Sequence, residues 1–175
     1  IHISYYAAGC LKYARGHAEI NSNGYPVSVN WDITTIADYG NGFAFYNSIA
    51  IDSNDNIFIA YGSSSGGNLM ERQTGYAHNA WGDGTSWEIV NFSKQEAILY
   101  GQPSIAIDSN DYIYIAYAAT TTQPYSGDSI ELIKVHDNLS YHQQQRVVPL
   151  QLEGDFVGIS TTIDSTYNRF HIIFE

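Results

Sequence analysis

From Tyr112 to Ala118 the chain alternates direction without alternating polarity. Ile113, Ile115 and Tyr117 point one way, Tyr112, Tyr114 and Ala116 the other, and both sets are apolar or aromatic. A strand with no polar face predicts a sheet covered on both sides. Around it the pattern predicts further short strands at 104–108, 129–135 and 143–148, separated by turns and loops. Ile, Tyr, Phe, Val and Thr dominate, a 3.6-residue period is absent, and clusters of Gly, Asn, Asp and Ser interrupt the apolar runs. The expectation is an all-β fold.

The pattern recurs. "SIAIDSNDNIFIAYG" begins at Ser48 and "SIAIDSNDYIYIAYA" at Ser104, a step of 56, and a further 56 residues lead to Ser160 and "STTIDSTYNRFHIIF". Counting back 56 from Ile57 reaches Ile1, so "IHISYYA" reads as the second strand of an earlier copy. Trp31 and Trp87 keep the same step, in "WDI" and "WEI". A repeat of this length built from four short antiparallel strands is the content of one β-propeller blade, and neighbouring blades supply the two-sided cover. A two-sheet sandwich would instead leave one face polar.

"PSIAIDSNDYIYIAY" (Pro103 to Tyr117), a strand such as "LKYAR" (Leu11 to Arg15) and a Trp-bearing strand such as "GTSWEIV" (Gly84 to Val90) resemble the blades of sialidase-like β-propellers of the BNR, or Asp-box, type. Laid on Trp87, the Asp-box pattern Ser/Thr-x-Asp-x-Gly-x-Thr-Trp keeps Gly84, has Ser86 for Thr, and has Gly82 where Asp belongs. Residues 1–175 then form a single propeller segment: 1–47 a partial blade plus linking loop, 48–103 and 104–159 blades, 160–175 the start of another. Propellers close with several blades, so the expectation is about three blades of a larger, six- to eight-bladed ring. Further blades of the same or another chain would complete it, the same chain being favoured, because "FHIIF" repeats the role of "IHISY" and would be surplus at a head-to-tail joint.

Charge narrows the partners. Seven Lys+Arg against eighteen Asp+Glu give a formal net charge of −11, which repels a phosphate backbone or an anionic bilayer, so nucleic acid is not expected. No apolar run is long enough to span a bilayer. Cys10 is the single cysteine, so an internal disulfide and a Cys-based metal site are excluded, and the residue reads as packing.

"DSND" carries the sharpest chemical question. Asp52, Asn54 and Asp55, with Asp108, Asn110 and Asp111, offer alternating oxygens to a hard cation such as calcium. A calcium loop would continue with a Gly and a later carboxylate, whereas here the chain enters the strand "NIFIAY", and the third copy, "DSTYNR", loses the ligands. A hairpin corner explains the same residues, because Asp and Asn tolerate left-handed backbone and cap their own turns. No metal or cofactor is expected.

The resemblance implies, for a sialidase site, three clustered Arg holding a carboxylate, a Tyr nucleophile with an acidic partner, and an Asp acid/base. Arg15, Arg72, Arg146 and Arg169 are scattered, and Arg15 and Arg72 read as nearly equivalent positions of the third strand. His2 and His171 match Phe58 and Tyr114 as strand residues on a packed face. No catalytic residue is assigned.

Binding is favoured over catalysis. The linking loops 38–47, 94–102 and 151–158 carry Tyr39, Phe43, Tyr46, Tyr100, Asp155 and Phe156, and a loop on the opposite rim, 75–84, carries Trp81. These aromatics offer flat faces to a glycan or a protein, or else plug gaps between blades. Asn91 and Asn138 begin glycosylation triplets of the kind chance also supplies. Low Lys content with abundant Tyr, Asn, Ser and Thr suits an extracellular, secreted or cell-surface protein. The expected function is a non-catalytic propeller segment that binds glycans or proteins or builds a surface assembly. The alternative is part of a sialidase-like glycoside hydrolase whose catalytic groups lie largely outside the segment.

Overall fold

The computed structural model describes residues 1–38, 43–64, 72–79, 84–91, 97–98, 103–121, 128–135, 142–150, 158–164, 167 and 169–174. Among them the fold is all-β, with no helix and every strand pairing antiparallel. No helix of the described residues is long and apolar enough to cross a membrane.

Four sheets follow one another along the chain. The first holds β1 (His2–Ala7), β2 (Cys10–Ile20) and β3 (Pro26–Asp38); the second β4 (Phe43–Ile51), β5 (Ile57–Ser64), β6 (Arg72–Asn79) and β7 (Glu88–Asn91). The third holds β8 (Ala97–Ile98), β9 (Ser104–Ile107), β10 (Ile113–Thr121), β11 (Asp128–Val135) and β12 (His142–Leu150); the fourth β13 (Ile159–Asp164) and β14 (Arg169–Phe174). Within each sheet strands neighbouring in sequence pair in space, except that β8 and β9 both pair with β10. The strands expected at 104–108, 112–118, 129–135 and 143–148 are β9 to β12. Three stretches read as loop are strand instead: Phe43 to Asn47 extend β4 backwards past a bulge, Ala97–Ile98 pair with Thr120 and Thr121, and Gly75 to Asn79 lie in β6, paired with β5.

Alternation along β5 and β10 is what packs the sheets. Ile57, Ile59 and Tyr61 turn to the first sheet and share a core with Leu11 and Tyr13, while Phe58 and Ala60 turn the other way. Together with Tyr76 they meet Ile113, Ile115, Tyr117 and Ile133 of the third sheet. Ala116 and Ala118, on the far face of β10, pack with Ile159, Phe170 and Ile172 of the fourth. β5 and β10 are therefore buried on both faces, and apolar burial between consecutive sheets, worth about 1.5–3 kcal/mol per large side chain, holds the stack together.

The fourth sheet breaks register by one residue. The corners between Ile51 and Ile57 and between Ile107 and Ile113 hold residues 52–56 and 108–112, but the corner between Ile163 and Phe170 holds 164–169. One extra residue turns a strand over. Phe170 and Ile172 thus face back to the third sheet, where the Phe170 ring stacks on Tyr114 at 5.2 Å. His171 still pairs opposite Thr162 as Tyr114 pairs opposite Ala106, but it is exposed and not on a packed face.

Candidate functional site

Two rims follow from the strand directions. One carries the hairpin corners β4–β5, β9–β10 and β13–β14; the other carries the start of β4 and the far end of β10.

The corners are turns, as expected. Asp52 Oδ1 accepts the backbone N–H groups of Asn54 and Asn56 at 2.9 and 2.8 Å, and Asn56 Nδ2 donates to Oδ2 at 2.7 Å. Asp108 repeats this with Asn110 and Tyr112, both at 2.9 Å, and takes the Tyr114 hydroxyl at 3.1 Å. Both carboxylates are buried and their oxygens are committed to the corner. Asp55 and Asp111 adopt φ of 63° and 61°, the left-handed geometry that closes the turn.

A second role for the corner was not read from the sequence. Asp111 reaches the corner of the preceding sheet and accepts the Ser53 N–H at 2.9 Å and the Ser53 hydroxyl at 2.5 Å, with Asn54 Nδ2 at 3.4 Å. These bonds hold the Asp111 carboxyl below the usual carboxylate range. Inner strands are stitched as well: Ile105 N–H donates to Ser48 Oγ at 3.4 Å, and Thr161 N–H to Ser104 Oγ at 3.0 Å. The available signal was the serine following each corner Asp and the serine opening each copy. Tyr167 stands 56 residues after Asp111, so the third corner has no carboxylate in that place.

Near the corner rim the strands carry polar groups. His2 Nδ1 lies 2.6 Å from the Tyr13 hydroxyl, and His17 Nε2 lies 3.3 Å from Asp32. Burial, then the nearby N-terminus and Arg15, lowers the His2 pKa, and burial raises that of Tyr13. A buried phenol that resists ionisation is unsuited to act as a nucleophile. The four arginines lie on β2, β6, β12 and β14, one in each sheet. Arg15 and Arg72 are not equivalent: Arg15 stands opposite His2 and Arg72 opposite Ser64, and the strand partner of Phe58, which matches His2, is His78. The shorter connection between β1 and β2 displaced the count. Among the described residues no group of three His, Cys, Asp or Glu is arranged to hold a metal ion.

On the other rim, Tyr46 is 46% exposed at the β4 bulge, opposite Gly62. Phe43 opens the same strand and Asn91 ends β7. Tyr39, Trp81, Tyr100, Asn138, Asp155 and Phe156 lie outside the described residues.

No family model and no curated protein matches the chain. A solved structure does: the alpha-L-arabinofuranosidase from Lactobacillus brevis, with a TM-score of 0.50 and 12% identity over 99% of this chain. The likeness is one of fold. This chain spans 63% of the length of that enzyme's chain. At 12% identity the likeness carries no assignment of side-chain chemistry to this chain.

Proposed function

We propose that the chain is a segment of a propeller-type repeat protein with a carbohydrate-related role, acting outside the cell as a glycan-binding module. The observation that carries this reading is the fold likeness to a glycoside hydrolase. The exposed Tyr46 on the rim that precedes each inner strand supports it, since a flat phenol beside a glycine suits a sugar ring. The blades are the four sheets, the second and third built on whole 56-residue units and the first and fourth on parts of one. Further blades cover the outer face of the first sheet: Ile1 and Ile3 are 60% and 42% exposed there, while Ile57 and Ile59, at the same step of the repeat, are fully buried. Affinity electrophoresis in arabinan, other polysaccharides and sialoside-bearing glycans tests the glycan reading. Retardation in one of them, weakened about tenfold by Tyr46→Ala, is expected, and unchanged migration in all of them rejects it.

A second reading is favoured by the same likeness. The chain is part of a glycoside hydrolase, sialidase-like or arabinoside-cleaving, whose catalytic carboxylates lie elsewhere in the protein. Turnover of aryl arabinofuranosides or sialosides by the longest polypeptide containing this segment is the test, and no turnover on either rejects it.

A further inference from the structure

One register level carries a basic residue in each of three consecutive sheets. Across β1, β2 and β3 it reads His2, Arg15, Asp32; across β5, β6 and β7, Phe58, His78, Glu88; across β10, β11 and β12, Tyr114, Lys134, Gln143. Lys134 Nζ sits 3.9 Å from the centre of the Tyr112 ring, a cation–π contact. His78 is the histidine of the second sheet's row.

Its setting is that of a neutral ring. His78 is 7% exposed and stacks on Phe58 with centroids 4.5 Å apart and planes 18° apart. Phe58 belongs to the core between the second and third sheets, to which the third sheet contributes Ile105, Ile113, Ile115, Tyr117, Ile133 and Val135, none of them charged. The acidic groups that act on His78 come from its own sheet, although the third sheet turns the buried Glu131 to the same junction, on the β11 face that carries Ile133 and Val135. Glu88 is its exposed partner across the strand, and Asp52 already spends its oxygens on Asn54 and Asn56. We propose that His78 is an acid-sensitive latch between the second and third sheets: neutral, it closes the junction, and protonated, it loosens it.

The direction follows from burial. Desolvation lowers the His78 pKa below 6.5, outweighing Glu88 and Asp52, which raise it. The opened state therefore takes up a proton before the closed state does. Closure is at full strength above about pH 7 and weakens as pH falls below the ordinary histidine value, by up to tenfold per pH unit until the closed state also protonates. His2 also has a lowered pKa, but it sits at the junction of the first and second sheets, so a local readout separates the two.

Amide hydrogen exchange resolved by residue, corrected for intrinsic rates, supplies that readout between pH 7.5 and 5. Several-fold loss of protection at Phe58, Tyr76 and Ile115 on acidification is expected, with the loss absent in His78→Phe. Equal loss in His78→Phe, or no loss in the natural chain, overturns the proposal. Should His78→Phe fail to fold, NMR titration of His78 in the natural chain decides: a midpoint below 6.5 supports the latch, and one at or above it refutes the latch.

Discussion

Asp111 holds Ser53. One carboxylate takes both the backbone N–H and the hydroxyl of a serine 58 positions earlier, in the preceding sheet. A corner that closes its own hairpin thereby also sets the distance between two sheets. Because these bonds lie at the surface, their net worth is about 1 kcal/mol. Asp111→Ala and Ser53→Ala should each lower stability by about that amount. A double-mutant cycle in urea should show coupling of about 0.5–1 kcal/mol between them. The Asp111 carboxyl is held below the usual range, so its contribution is present above about pH 4 and disappears as pH falls through the lowered value.

Asp55 and Asp111 separate turn geometry from the clamp. Both are left-handed, at φ 63° and 61°, where glycine relieves strain. Asp111 also carries the bonds to Ser53, and no such bond to an earlier sheet accompanies Asp55 among the described residues. Asp55→Gly should therefore leave the unfolding free energy unchanged or raise it by up to about 1 kcal/mol. Asp111→Gly should lower it. Equal responses would mean that the clamp contributes nothing.

Asp52 caps from a buried position. Its replacement by Ala leaves the N–H groups of Asn54 and Asn56 without their acceptor, at a cost of about 1–3 kcal/mol. Asp52→Asn keeps one acceptor oxygen and should recover part of that loss. Calcium should raise the melting temperature of neither the natural chain nor the variants, since the corner oxygens already serve the turn; a rise with millimolar calcium would reinstate the metal reading.

Gly84 tests the junction of the first two sheets. Its φ is +74°, and a Cβ there would lie 2.7 Å from Cε1 of Tyr13, a fully buried ring edge-on to Trp87 at 5.2 Å. Gly84→Ala must push Tyr13 or strain the turn, so a loss of about 1–3 kcal/mol is expected in denaturant unfolding. Part of that loss should be absent when Tyr13 is already Leu.

The architecture was legible because burial on both faces leaves a signature in each strand: Ile57, Phe58, Ile59, Ala60 and Tyr61 are all apolar, and all are buried. The corner was legible because Asp and Asn serve left-handed turns. What counting missed was register. The step of 56 aligned Arg15 with the wrong neighbour, because a two-residue turn with Ala8 and Gly9 at positive φ shortens one hairpin. The extra residue in the fourth corner, likewise, shows only in strand pairing. Ser53 gave no hint of its partner, since a hydrogen bond between sheets has no sequence period shorter than the repeat itself. Of the rim aromatics, Tyr46 is placed as an exposed residue, but within β4 at its bulge and not in a loop.

Consecutive sheets pack face to face through the alternating faces of β5 and β10. Methyl and aromatic NOE spectroscopy tests this packing most directly. Cross-peaks are predicted between the Ile59 methyls and the Tyr13 ring, between the Ile115 methyls and the Phe58 ring, and between the Tyr114 and Phe170 rings. Contacts confined to residues within each sheet, with these three absent, would contradict the stack.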